Sequence, residues 1–119
     1  MNWYLAKLIY QVISGEGNHI PQFDAQYRLI RADELDWAWE KAGTMGRLGE
    51  TIFANDKAEE VKWEFIAVEE VCLIDSMEDG SQLYGCTIEP EDVEEFIRIT
   101  KERSRRLHNN RGNKELLYN

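Results

Sequence analysis

Between residues 2 and 13, Tyr4, Ala6, Leu8, Tyr10 and Val12 form an unbroken apolar row. The alternate row mixes Trp3, Leu5, Ile9 and Ile13 with Lys7 and Gln11. A period of two predicts a strand over residues 3–13 with one fully buried face. Residues 14–21 contain two glycines, an asparagine and a proline, which is loop chemistry. Phe23, Ala25, Tyr27 and Leu29 then alternate with Asp24, Gln26 and Arg28. This predicts a second strand over 23–32, antiparallel to the first and solvated on one face. The pair makes a hairpin with a long tip.

At Ala32 the period changes. Leu35, Ala38, Trp39, Ala42 and Met45 recur at helical spacing, predicting a helix over 33–45 with Asp33 as its cap and Glu34 and Asp36 at the positive end of its dipole. Gly43, Gly46 and Gly49 are read as ending it. Trp37 lies roughly 160° from the line of Leu35 and Ala42 on a 3.6-residue wheel, so it either faces solvent or wedges under another element. Residues 51–54 suit a short strand.

Val61, Trp63, Phe65, Ala67, Val71 and Leu73 share one parity, interrupted by Glu69. They predict a strand over 60–74, long enough to require a bend or a bulge. Asp79-Gly80 marks a turn, and residues 81–88 are expected to return as a strand. Pairing Ile74 with Ser81 would set Cys86 opposite Glu69 and Cys72 opposite Leu83, with the two thiols pointing apart. A helix near 91–107 follows Pro90, with Val93, Phe96, Ile97, Thr100 and the run from Ser104 to Leu107 sketching one apolar stripe. Its first turns carry Glu91, Asp92, Glu94 and Glu95, and its last carry Lys101, Arg103, Arg105 and Arg106, a polarity that opposes the helix dipole. Together these elements predict an α+β fold, an antiparallel-rich sheet of four to five strands with two helices on one face. Residues 1–108 are read as a single domain and 109–119 as a polar tail.

The 119 residues are 43% hydrophobic and 11% aromatic, enough for one core. The apolar runs fall far short of the ~20 residues of a membrane span, and residues 1–13 do not read as a secretory signal. A cytoplasmic location is expected, in keeping with two cysteines that match no disulfide framework or zinc spacing. Charge sharpens the picture. Residues 1–97 carry seven lysines and arginines against 21 aspartates and glutamates, a net of −14, whereas residues 98–119 carry seven against two, a net of +5. So acidic a body repels nucleic acid and anionic membranes and attracts basic partners.

Three sets of residues carry a further likeness. They are Asn2-Trp3-Tyr4-Leu5-Ala6-Lys7-Leu8 with Gly15-Glu16-Gly17-Asn18-His19 and Pro21-Gln22-Phe23-Asp24; Arg28-Leu29-Ile30-Arg31-Ala32 with Val61-Lys62-Trp63-Glu64-Phe65-Ile66-Ala67-Val68; and Asp79-Gly80, Leu83-Tyr84 and Glu89-Pro90-Glu91-Asp92. In that order and with those gaps, the chain resembles the bacterial family catalogued as domain of unknown function 4288 over most of residues 1–97. The resemblance implies a stand-alone cytoplasmic α+β domain and brings no activity with it.

The chemistry is sparse. His19 and His108 are the only histidines, and neither lies near Cys72 or Cys86 in sequence, so no nucleophile–base pair is predicted and the chain is read as non-enzymatic. No cofactor or metal site is assigned. The loop at 15–19 lacks the lysine and following helix of a phosphate cradle, and Glu16, His19 and Asp24 at a hairpin tip make a poor metal set. Glu69 is the candidate buried polar group, since it interrupts a core parity; a strand bend that returns it to solvent is the competing reading. The leading expectation is an acidic protein that binds a protein partner, of the kind that neutralises a toxin by masking a basic site. Trp37, Glu34, Asp36, Glu40 and His19 are the candidate contact residues, and self-association is a further partner class. The alternatives are a small enzyme or ligand binder with a pocket near Glu69, Cys86 and Trp63, and a nucleic-acid accessory protein using the basic C-terminal helix, which lacks aromatic platforms.

Overall fold

The structure is a computed structural model and describes residues 1–110. It has the α+β class that the patterning predicts. Strands β1 (Asn2–Ser14), β2 (Gln22–Ala32), β3 (Thr51–Ala54) and β4 (Glu60–Ile74) form one antiparallel sheet in the order β2-β1-β4-β3, and helices α1 (Leu35–Leu48) and α2 (Val93–Asn109) complete the elements. The chain divides by contacts into two compact units, Met1–Gly85 and Cys86–Asn119. The residues read as a tail lie outside those described, save Asn109, which closes α2, and Asn110, its C-cap.

In the first unit β1 is central, and its apolar row Tyr4, Ala6, Leu8 and Tyr10 is buried with Ile30 of β2 and Val68 of β4 beneath Ala38 and Ala42 of α1. Two register shifts between β1 and β4 explain why the parity of β4 looked broken. Lys7 opposes Glu70 and Leu8 opposes Val68, so Glu69 is the extra residue of one bulge; Ile9 opposes Ala67 and Tyr10 opposes Phe65, so Ile66 is the extra residue of the other. Each inserted residue reverses the faces. Val61, Trp63 and Phe65, then Val68, then Val71 and Leu73 therefore share the α1 face, and Ala67 does not.

Helix α1 corrects the reading of its apolar stripe. Its buried residues are Ala38, Ala42, Gly43 and Gly46, while Trp39 is 51% exposed and Leu35 is exposed too. The reason is a close approach to the sheet. A Cβ at Gly46 would overlap the Phe65 ring, and one at Gly49 would overlap the Tyr10 hydroxyl. Small residues let the large side chains of the sheet stand up into the helix, so Gly43 and Gly46 lie within α1, and Gly49 caps it through N–H bonds to the carbonyls of Met45 and Gly46. Tyr10 fills the junction: its hydroxyl donates to the Gly46 carbonyl at 2.7 Å, its ring tilts against Phe65 and Trp63, and burial pushes its pKa up.

Residues 81–88 do not form the expected strand. The first part of this segment lies instead against the sheet face opposite α1, where Tyr84 packs on Tyr27 with ring centroids 5.9 Å apart and the Cys72 thiol donates weakly to the Leu83 carbonyl at 3.8 Å. The register that would have set Cys86 opposite Glu69 therefore does not arise. Leu5 and Ile74 on that face of the sheet are buried.

In the second unit, α2 is capped by Asp92, whose carboxylate accepts from the Glu95 amide at 3.0 Å. Ion pairs Glu95–Arg98, Glu102–Arg105 and Glu102–Arg106 run along one side of it.

Candidate functional site

The β2–α1 junction builds the most distinctive surface. The chain leaves β2 at Ala32 and enters α1 through Glu34, the N-cap, which holds extended backbone angles but makes no side-chain capping bond; Asp33, expected in that role, does not cap. Its carbonyl instead accepts from the Asn2 side chain at 3.2 Å. Lys41, nearly two turns into α1, donates to the Arg31 carbonyl at 3.1 Å, and the Arg31 guanidinium lies over the Trp3 ring. The end of β2, the start of β1 and the first half of α1 are thereby tied together.

On this platform Trp37 stands 60% exposed, the solvent-facing outcome of its phase on the helix. Glu34, Asp36, Trp37 and Glu40 line one shallow depression of about 230 Å³. Trp37 and Glu40 also border a larger one, about 470 Å³, with Met1, Arg31, Asp33 and Lys41 among its walls. Among the described residues no ion pair involves Glu34, Asp36 or Glu40. The arrangement is an indole rising among carboxylates at the start of a helix, with an acidic hollow on one side and a hollow of mixed charge on the other. Four of the five residues singled out as contacts are thus brought together.

The fifth is not. His19 sits in the β1–β2 tip, where its Nε2 accepts from the Ser14 amide at 3.0 Å and its Nδ1 lies 2.8 Å from the Ile20 carbonyl. Both ring nitrogens are engaged by the loop backbone. The role is to shape the tip.

Glu69, expected as a buried polar group, is not buried: its side chain is 55% exposed and pairs with Lys7 at 3.4 Å. As the extra residue of the bulge it leaves the core parity of β4. Partial burial lowers the Lys7 pKa, but the hydrogen bond to Glu69 and the charge of that carboxylate outweigh it and hold the ammonium above the usual lysine range. A depression of about 320 Å³ does occur nearby, but Glu70, Cys72, Asp75 and Gln82 line it, without Glu69 or Cys86. Burial, reinforced by the Glu70 carboxylate, pushes the Cys72 thiol up, which opposes a nucleophilic role. Among the described residues no cluster of histidine, cysteine and carboxylate groups is placed to hold a metal, and no helix is long and apolar enough to cross a membrane.

The family pattern described as Domain of unknown function (DUF4288) matches residues 3–85. The chain belongs to that family. The DUF4288 match ends where the first compact unit ends, so the family's shared part is the sheet with α1 and the segment that covers its other face. The Glu89–Asp92 block and α2 lie beyond it. Neither a curated protein nor a solved structure matches the chain.

Proposed function

We propose that this protein works by binding another protein through the outer face of the first two turns of α1. The observation that carries the reading is Trp37, exposed among Glu34, Asp36 and Glu40 on a helix start braced against the sheet. An exposed indole costs the free protein hydration free energy and is the side chain that most often anchors an interface. Its acidic surroundings select a basic partner and speed encounter. In its most concrete form the protein is a cytoplasmic inhibitor that masks the basic site of a toxin; its free thiols suit a reducing compartment. No catalytic step is assigned to it.

The test is affinity capture by the full chain in cells of its source, run in parallel with Trp37→Ala and with Glu34→Lys/Glu40→Lys. One basic protein should be held in stoichiometric amount by the unaltered chain and lost by both variants. Its association should slow as salt shortens the Debye length from about 10 Å at 0.1 M to about 3 Å at 1 M. A partner held equally by all three baits, with a salt-independent rate, overturns the proposal.

A further inference from the structure

Strand β2 forms one margin of the sheet, with β1 on its inner side only. At the end of β1 the Gly15 amide donates to the Glu60 carbonyl of β4 at 2.7 Å, while the Ser14 amide turns the other way, to His19, at 3.0 Å. Alternation along β1 therefore aims its even-numbered residues at β2 and engages their opposites there, Asp24, Gln26 and Arg28. Phe23, Ala25, Tyr27 and Leu29 point their N–H and C=O groups outward, where no backbone bond among the described residues takes them up. This free stretch is closed at both ends: Pro21 has no N–H, and the Arg31 carbonyl accepts from Lys41. Sheet edges are ordinarily blunted by brevity, bulges or charge. Strand β3 has only four residues and β4 bulges at Ile66 and Glu69. Strand β2 instead runs for 11 residues without a register shift and leaves Phe23, Tyr27 and Leu29 at 61%, 51% and 49% exposed.

We infer that this edge pairs antiparallel with the same edge of a second copy of this chain, about a two-fold axis at Gln26, joining the two sheets into one. The charges select both the occupant and the register. Asp24 and Arg28 lie on the α1 face of β2 and belong to no ion pair among the described residues. The Gln26 side chain stands between them, donating to Asp24 at 2.8 Å and accepting from Arg28 at 2.7 Å. With Gln26 opposite Gln26, Asp24 of each copy faces Arg28 of the other in a non-hydrogen-bonded pair, where Cα atoms come within about 4.5 Å. On the other face Phe23 meets Leu29, and Ala25, the smallest of its row, meets Tyr27, the largest; their outward backbone groups bond one another. Pro21 meets Arg31, so the two closed ends coincide. Moving the axis to Ala25 or to Tyr27 sets Asp24 against Gln26 or Ile30 and separates the charges, and a parallel in-register pair sets Asp24 on Asp24. An antiparallel pair of identical strands is isologous, as a closed dimer requires. One strand pair falls at the small end of specific interfaces, below about 1,200 Å², so the dimer is concentration-dependent. It is independent of the reading of Trp37.

Sedimentation equilibrium of the full chain up to millimolar concentration should show the mass rising toward twice that of the monomer. Ala25→Pro removes an outward N–H and no bond to β1, so it should abolish the rise while the circular dichroism spectrum is retained. Asp24→Arg and Arg28→Asp each set like charges opposite one another across the axis, so each alone should stay monomeric. Mixed in equal amounts the two should dimerise, because every facing pair is again opposite in sign, a result that misfolding cannot give. Register is read by mild oxidation in a Cys72→Ser/Cys86→Ser background, where Gln26→Cys should bridge two copies and Asp24→Cys should not. Mass that stays monomeric, a dimer indifferent to Ala25→Pro, charge variants that dimerise singly or fail to dimerise when mixed, or bridging by Asp24→Cys in place of Gln26→Cys overturns the inference.

Discussion

Substituting alanine at Gly46 sets two opposed effects against each other inside α1. In a helix interior the change alone stabilises by about 0.8–1.0 kcal/mol, because glycine loses more backbone freedom on folding. At Gly46, however, the added Cβ falls on the Phe65 ring, overlapping two of its atoms and lying 2.7 Å from Cδ1. Phe65 cannot turn away freely, since Tyr10 packs on it at 5.5 Å and is itself pinned by its bond to the Gly46 carbonyl. Overpacking of this kind costs about 1–3 kcal/mol, and loss of the Tyr10 bond would add about 1–3 kcal/mol. With both costs and the propensity gain, the net expectation is destabilisation by about 1–5 kcal/mol. At about 4–8 °C per kcal/mol, the melting midpoint should drop by at least several degrees. Gly43 is the internal control. There the Cβ would meet only the flexible end of Arg47, at 3.4 Å, so Gly43→Ala should raise stability by up to about 1 kcal/mol. Urea unfolding of both variants, and of Gly46→Ala combined with Phe65→Leu, measures the signs and the coupling. A Gly46→Ala protein as stable as Gly43→Ala would refute the close approach of α1 to the sheet.

Tyr10→Phe should lower stability by about 0.5–1.5 kcal/mol in urea unfolding, because it removes one of two hydrogen bonds to the Gly46 carbonyl, which keeps the one from the Gly49 amide. In a thiol titration of the native protein, exposed Cys86 should react first and half-buried Cys72, with its pKa pushed up, should lag until denaturant is added. The Arg98 hydrogen bond holds the Glu95 carboxyl below the ordinary value of 4.5, against a smaller opposing effect of burial. Its contribution to α2 is therefore complete above that value and is lost as pH falls through the lower folded one. Helical ellipticity should decline on that acid limb, and Arg98→Ala should move the decline to higher pH.

Much of the first unit was legible because period-two alternation survives burial: β1, β2 and the extent of β4 follow directly from their apolar rows. The faces of β4 beyond Phe65 did not, since two bulges reverse the parity and then restore it, and only pairing with β1 reveals where they fall. Residues 81–88 have the composition of a strand, yet Tyr84 packs on Tyr27 and the Leu83 carbonyl meets the Cys72 thiol on the face of the sheet instead of extending it. In α1 the glycines read as terminators are the contact surface, and the tryptophan on the presumed apolar stripe, Trp39, is exposed. The wheel put Trp37 off the apolar stripe, either in solvent or under another element, and the structure puts it in solvent. The members of the candidate site were therefore legible from phase, though the exposure of Trp37 was not, and Glu69 and His19 depended on a bulge and a loop that no local pattern encodes.

The account turns most directly on Trp37→Ala, measured twice on the same preparation. Because the indole is exposed, unfolding free energy should stay within about 0.5 kcal/mol of the unaltered chain, as for surface substitutions generally, while capture of the basic partner is lost. Destabilisation by the roughly 3–5 kcal/mol typical of a core tryptophan, or a partner bound as tightly as before, would contradict it.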